Sequence, residues 1–307
     1  MKKILSLAVI CLMATPLSAQ PVVDGTKAGD PYGPALSVQT IETGFGDNEN
    51  EWNAAYGSVD AGTLYLMFTG NLQGNFNKLE VFIDTVAGGS NVLDTVGNDG
   101  AGAMNGMTLD TRFAPEYHLI FRRGNAGSDK FDVDLASLNS GAGGAGALII
   151  DGGGVGPGSD IFGGSQSGSA SGIAGTSLAV AYDGSNVAGI DGCDTPADSG
   201  CQAADQAAAL AVDTGLELSI DLADLGSPAA PIKVMLLQNN DNHDFLSNQT
   251  LGGLPVGTGN LGSPASGVDF TAFAGNQYFA IPEPVTLALA GVGLLALGTS
   301  RLRRNRS

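Results

Sequence analysis

Leu216-Glu217-Leu218-Ser219-Ile220-Asp221-Leu222 alternates without a break. In an extended chain Leu216, Leu218, Ile220 and Leu222 fall on one side and Glu217, Ser219 and Asp221 on the other. That is the period-2 pattern of a strand with one face in a core. Working outward, the same pattern recurs. Leu79, Val81 and Ile83 share one face of Lys78–Asp84, and Leu64-Tyr65-Leu66-Met67-Phe68 divides its members between two faces. Further short apolar or alternating runs lie at Ala35–Thr43, Trp52–Val59, Tyr117–Arg122, Lys130–Leu135, Ala147–Asp151, Ser177–Tyr182, Ile232–Gln238 and Val268–Ala280. Clusters of Gly, Asn, Asp and Ser separate them. About eleven short strands with so little helical periodicity predict an all-β protein, a β-sandwich. One short helix is expected in the Ala-rich stretch Ala203–Ala211.

Residues 141–175 hold 14 glycines in 35 positions. Glycine loses the most backbone entropy on ordering, so this insertion predicts long loops around one or two strands. No repeat of fixed period and no internal domain boundary is visible. The body therefore reads as one acidic sandwich over residues 20–281.

Both ends carry targeting patterns. Lys2 and Lys3, the apolar run Ile4–Met13 and Thr15-Pro16-Leu17-Ser18-Ala19 follow the order of a signal peptide, residues 1–19. The tail reads Ile281-Pro282-Glu283-Pro284, then an uncharged run to Ser300, then Arg301, Arg303, Arg304 and Arg306. At helical rise the run would span about 25 Å, slightly less than a ~30 Å hydrocarbon core. It reads as a single transmembrane helix, with the arginines on the cytoplasmic side and the body across the membrane. Residues 282–307 resemble the PEP-CTERM sorting signal of bacterial surface proteins. That resemblance implies recognition of Pro282, Glu283 and Pro284 by an exosortase, a membrane-embedded protease or transpeptidase. It also implies association with extracellular polysaccharide, and hence with a matrix or biofilm.

The chain has 31 acidic and 13 basic residues. Setting aside Lys2, Lys3, the four tail arginines and Glu283 leaves 30 against 7, a net charge of −23 for the body. Such a body offers no phosphate-binding surface, which argues against nucleic acid. It suits a soluble surface protein or one that binds cations. Cys11 falls in the signal peptide. Cys193 and Cys201 remain, with turn-forming residues between them, and are expected to form a disulfide in an oxidising compartment.

Asp24-Gly25-Thr26, Leu64-Tyr65-Leu66, Val81-Phe82-Ile83-Asp84 and Thr214–Gly226 occur in an order that resembles the jelly-roll-like sandwiches of family-nine carbohydrate-binding modules and DOMON-type domains. The resemblance implies a jelly-roll-like arrangement and, in the modules, sugar held between aromatic rings. This chain has a single tryptophan, Trp52, which makes it the candidate stacking residue.

Catalytic patterns are scarce. The chain lacks G-x-S-x-G, a P-loop, H-E-x-x-H and C-x-x-C. His118 sits inside an expected strand and reads as a packed or edge histidine. His243 lies in Asn239–Asp244, where Asp241 and Asp244 supply oxygen ligands of the kind calcium takes, although such runs also make plain turns. Asp47, Asn48, Glu49 and Glu51 form a second acidic loop with the same two readings. No cofactor is otherwise implied. The expectation is a non-enzymatic, structural or adhesive surface protein. The alternatives are a carbohydrate-binding module and, behind it, a secreted hydrolase with a close carboxylate pair.

Overall fold

The computed structural model describes residues 19–124, 130–140, 143–151, 161–167, 176–194, 200–228 and 231–282. The expected signal peptide, up to Ser18, lies outside the described residues, as do Glu283, Pro284, Arg301, Arg303, Arg304 and Arg306. Among the described residues no helix is long and apolar enough to cross a membrane.

Two antiparallel sheets face each other. In chain order the strands are β1 Ser37–Val38, β2 Glu51–Asp60, β3 Thr63–Asn71, β4 Lys78–Asp84, β5 Tyr117–Arg123, β6 Phe131–Ser137, β7 Ala145–Asp151, β8 Ile161–Ser167, β9 Ala179–Asp183, β10 Gly215–Asp221, β11 Lys233–Asn239, β12 Leu246–Leu251 and β13 Phe279–Ala280. The first sheet runs β1-β2-β3-β10-β9-β8. The second runs β12-β11-β4-β5-β6-β7, with β13 added beside β11. One helix, α1, spans Gln206–Ala211; the Asp205 side chain caps it by accepting from Ala207 and Ala208 N–H.

The core follows the alternation. Leu64, Leu66 and Phe68 of β3 and Leu216, Leu218 and Ile220 of β10 meet Leu79, Val81, Ile83, Leu119, Phe121, Val234 and Leu236 of the opposite sheet. The outer faces are covered too. Phe82, Ile120, Met235 and Leu237 pack under the long connections that contribute Leu93, Met104, Met107, Leu109, Phe113 and Phe270. Tyr65 and Met67 pack against Tyr32, Ala54 and Tyr56. The residues expected to point into solvent therefore point into a second layer, and this puts charged side chains in buried positions.

Several expectations are corrected. Val268–Ala280 is no continuous strand: it holds a 3-10 turn at Phe270–Ala272 and ends in the two-residue β13. The buried Phe270 anchors that turn, and the Asp269 side chain caps it by accepting from Thr271 N–H. Ala35–Thr43 pairs as a strand over Ser37–Val38 alone, with isolated bridges at Ile41 and Thr43. Two strands lacked an apolar signal. β12 buries Ser247, Asn248, Gln249 and Thr250, and β8 lies inside the glycine-rich insertion.

Candidate functional site

Three polar clusters stand out, one on each outer face of the sandwich and one at its rim.

On the outer face of the second sheet, Phe82 of β4 sits opposite His118 of β5. Glu80 is therefore the diagonal, same-face neighbour of His118, within side-chain reach. His118 Nε2 lies 2.7 Å from Glu80 Oε2, and its ring stacks on Phe82 at 4.3 Å. His243, in the turn after β11, places Nδ1 2.6 Å from Glu80 Oε1 and Nε2 3.0 Å from the Asp99 carbonyl oxygen. Asp99 in turn pairs with Lys78 at 3.2 Å and Arg122 at 2.9 Å. Glu80, His118 and His243 have 0–1% exposure. Burial alone would raise the Glu80 pKa. The His243 charge and hydrogen bonds from both histidines outweigh it and hold the carboxyl well below the usual range. Burial would lower His243, yet the Glu80 charge and the Asp99 hydrogen bond push it up to about 9. The arrangement is an enclosed ionic clamp. It fastens the Asn98–Met104 segment and the His243 turn to the sheet, and no substrate reaches it.

On the outer face of the first sheet, Glu217 of β10 is fully buried. Its Oε2 accepts from the N–H groups of Asp24 and Gly25, and its Oε1 accepts from the Tyr32 hydroxyl at 2.7 Å. The Asp-Gly motif thus serves as a latch for the N-terminal segment. Burial pushes the Glu217 carboxyl up to about 7. Asp24 and Asp30 bring their carboxylates near it, but the Glu217 oxygens are already occupied by these donors.

The third cluster is a cavity of about 260 Å³ at one rim of the sandwich, lined among others by Asn48, Glu49, Asn71, Gln73, Arg123 and Asn186. Glu51 and Asn71 are direct partners across β2 and β3. The close approach that permits this pairing requires Gly70 (φ 143°), where a Cβ would strike the Glu51 backbone. Asn71 Nδ2 donates to the carbonyls of Asn48 and Asn186, each at 2.8 Å. Its Oδ1 is buried with no hydrogen-bond partner among the described residues. Glu51, itself fully buried, accepts from Asn53 Nδ2, Asn186 Nδ2 and Asn48 N–H. All three donors are neutral, and burial pushes the Glu51 carboxyl up to about 7. Arg123 leans on the Tyr182 ring, 5.8 Å from its centroid, and donates to the Leu72 carbonyl.

The sequence-based candidates fall as follows. Trp52 is not a stacking platform. It is fully buried between the sheets, and its Nε1 donates to Gln238 Oε1 at 2.8 Å, so neither ring face meets solvent. Asp241 and Asp244 are not among the acidic groups of three or more that come together among the described residues. Asp241 accepts from its neighbour Asn242, and Asp244 accepts from Asn240, within an ordinary turn. His243, between them, turns inward to Glu80. Cys193 and Cys201 form the expected disulfide. Pro282 is exposed, directly after the buried Ile281. Sequence reasoning missed Glu80 and Asn71, which occupy strand positions with no distinguishing neighbours. The one available signal for Glu80 was its place on the face opposite Leu79, Val81 and Ile83.

The fold and clusters define an acidic, disulfide-closed, all-β sandwich with ionic latches under its covering loops. No family model matches the chain, nor does any curated protein or any solved structure.

Proposed function

We propose that the chain is an exported surface protein, sorted through its tail by an exosortase-type membrane protease, with a structural or adhesive role in an exopolysaccharide matrix. One observation carries the reading beyond the tail sequence. β13 pairs with β11, Ile281 N–H donates to the Ile232 carbonyl, Ile281 is buried, and Pro282 is exposed. The last strand thus leads directly to an exposed Pro282, the first residue of the Pro-Glu-Pro motif, which a protease could meet with no unfolding of the body. Pro282 and Pro284 favour an extended backbone of the kind proteases bind, and Glu283 supplies a charge between them.

The jelly-roll-like likeness belongs to the same reading, supported by two facing antiparallel sheets joined by crossovers. The glycan-module alternative is weakened by the burial of Trp52. The hydrolase alternative gains little from the rim cavity, whose lining includes Glu49 as its one carboxylate. On this reading the chain is non-enzymatic, delivered across the inner membrane and held there by its tail until processing.

Intact mass and localisation of the mature protein in its own host test the proposal. Loss of the tail near Pro282 in the wild type and its retention in Glu283→Ala are expected. Retention of residues through Ser307 in both overturns it.

A further inference from the structure

We propose that the rim carrying the cavity binds a neutral polysaccharide, with one sugar unit at the Asn48 and Gln73 amides and the chain running on past Phe76. The inference rests on the surface role proposed above and names the class of partner for it.

The first observation is where the rim lies. Ala280 of β13 pairs with Lys233 of β11, which pairs with Asp84 at the end of β4. β13 runs antiparallel to β11, so the chain leaves the sandwich at that end, at the exposed Pro282. Lys78, at the other end of β4, pairs with Asn239 and with Arg122, the neighbour of the cavity residue Arg123. The strand between these ends is about 20 Å long. A body tethered through its tail thus holds the cavity away from the membrane.

Second, the polar groups there suit hydroxyls. Gln73 Oε1 accepts from Asn50 and Asn75, while Nε2 has no hydrogen-bond partner among the described residues. The exposed Asn48 side chain has none either. Both residues line the cavity, and both are fixed through their backbones: Gln73 N–H donates to Asn50 Oδ1, and Asn48 N–H donates to Glu51. A primary amide donates and accepts, as a sugar hydroxyl does.

Third, apolar surface lies beside these amides. Phe76 is 39% exposed and follows Gln73 and Gly74 on one loop. Its φ of 68° is costly for a residue with a side chain, and its N–H is held by the Arg123 carbonyl. Val187, on the cavity wall, is 81% exposed. Exposed rings and branched side chains suit the C–H faces of a sugar.

Fourth, charge favours a neutral chain. Asp47 and Glu49 are exposed on this rim, and the body is strongly acidic, so anionic polymers are repelled. The Arg123 guanidinium is engaged within the protein, stacked on Tyr182 and donating to the Leu72 carbonyl. At about 260 Å³, the cavity lies below the ~300–1,000 Å³ that encloses a whole organic ligand. It suits one unit of a longer chain.

The test is titration calorimetry on the purified full-length chain. Cellohexaose, maltohexaose, chitohexaose and mannohexaose are the neutral probes, and hexagalacturonate is the charged one. We expect saturable binding of at least one neutral probe, tighter than that of hexagalacturonate. Gln73→Glu keeps an acceptor for Asn50 and Asn75 but removes the Nε2 donor, and is expected to weaken binding about tenfold. Phe76→Ala, at an exposed position, is expected to cause a comparable loss. Asp60→Asn, at the opposite end of β2, is expected to leave affinity unchanged. Failure of all four neutral probes to bind overturns the proposal, as does preference for hexagalacturonate. Equal weakening in Gln73→Glu and Asp60→Asn also overturns it. Binding by a chain that keeps its tail in the host would overturn the sorting reading alone, and tail loss without binding would overturn the polysaccharide site alone.

Discussion

His243 Nδ1 lies 2.6 Å from Glu80 Oε1, and neither side chain is exposed to solvent. Both His243 (φ 60°) and its other partner Asp99 (φ 51°) hold left-handed backbone conformations. Such φ values are costly for residues with a side chain, and here two of them meet at one hydrogen-bonded contact. The clamp holds strained turns in place.

Removing one partner should therefore be costly. His243→Ala leaves Glu80 buried with only His118 and Asn239 as partners. The expected loss is about 3–5 kcal/mol, the range for breaking a buried ion pair. Urea unfolding measures it. The combined variant His243→Leu with Glu80→Leu should lose less than the sum of the single changes, because the two residues are coupled. Strict additivity would mean that the pair does not act as a unit.

The pH dependence has a definite sign. His243 titrates near 9 when folded, above its ordinary value of 6.5, so its contribution is complete below pH 6.5 and lost as pH rises through 9. Glu80, Asp99 and Lys78 are the charged groups that face it. Asp99 is burdened by burial, but His243, Lys78 and Arg122 hold it down to about 2. Its contribution is present above pH 3.8 and lost as pH falls through 2. Urea midpoints should fall between pH 7 and pH 10 in the wild type. His243→Ala should lack that fall; a parallel decline in both would assign the alkaline loss elsewhere.

The disulfide closes a short loop of sequence separation 8. Loop-closure entropy gives it about 2.5 kcal/mol. Cys193→Ser with Cys201→Ser should lower stability by about that amount, and reduction of the wild type should match it. Cys201 is buried and accepts from Asn248 Nδ2, so a larger loss in the double serine variant than on reduction would report on that packing.

Trp52 reports on the core. Its emission should be blue-shifted in the folded chain and unchanged by added mono- and oligosaccharides. Trp52→Ala should cost about 3–5 kcal/mol, as for other large core truncations. A saccharide-dependent emission shift would return the ring to the role that its burial removes.

The strands with an apolar face were legible because period-2 alternation reports the inner surface of a sheet: Leu79, Val81, Ile83 and Leu216, Leu218, Ile220 all lie in the central core. The helix at Gln206–Ala211 and the pairing of Cys193 with Cys201 were legible from local composition. β12 was not, because Ser247–Thr250 is polar and its burial depends on hydrogen bonds to distant residues. Asn248, for instance, donates to the Glu42 carbonyl.

The sites were less legible than the strands, and for the same reason. Alternation says which residues point away from the core but not what covers them. Glu80 and Glu217 read as solvent-facing positions, yet connections from far along the chain close over them; His118, read as a packed or edge histidine, is packed on Phe82. Glu80 meets His243 across 163 residues and Glu217 meets Gly25 across 192. Trp52 read as a ligand platform because an aromatic ring looks the same in a sequence whether its partner is a sugar or Gln238. The sequence by itself determined the all-β class, the acidic charge, the disulfide and the order of the tail motif, all of which are written in local pattern or composition. Only the tertiary structure decided which charges are buried and paired, and that Asn71 Oδ1 is buried with no hydrogen-bond partner among the described residues. Those are properties of contacts between segments that the chain holds far apart.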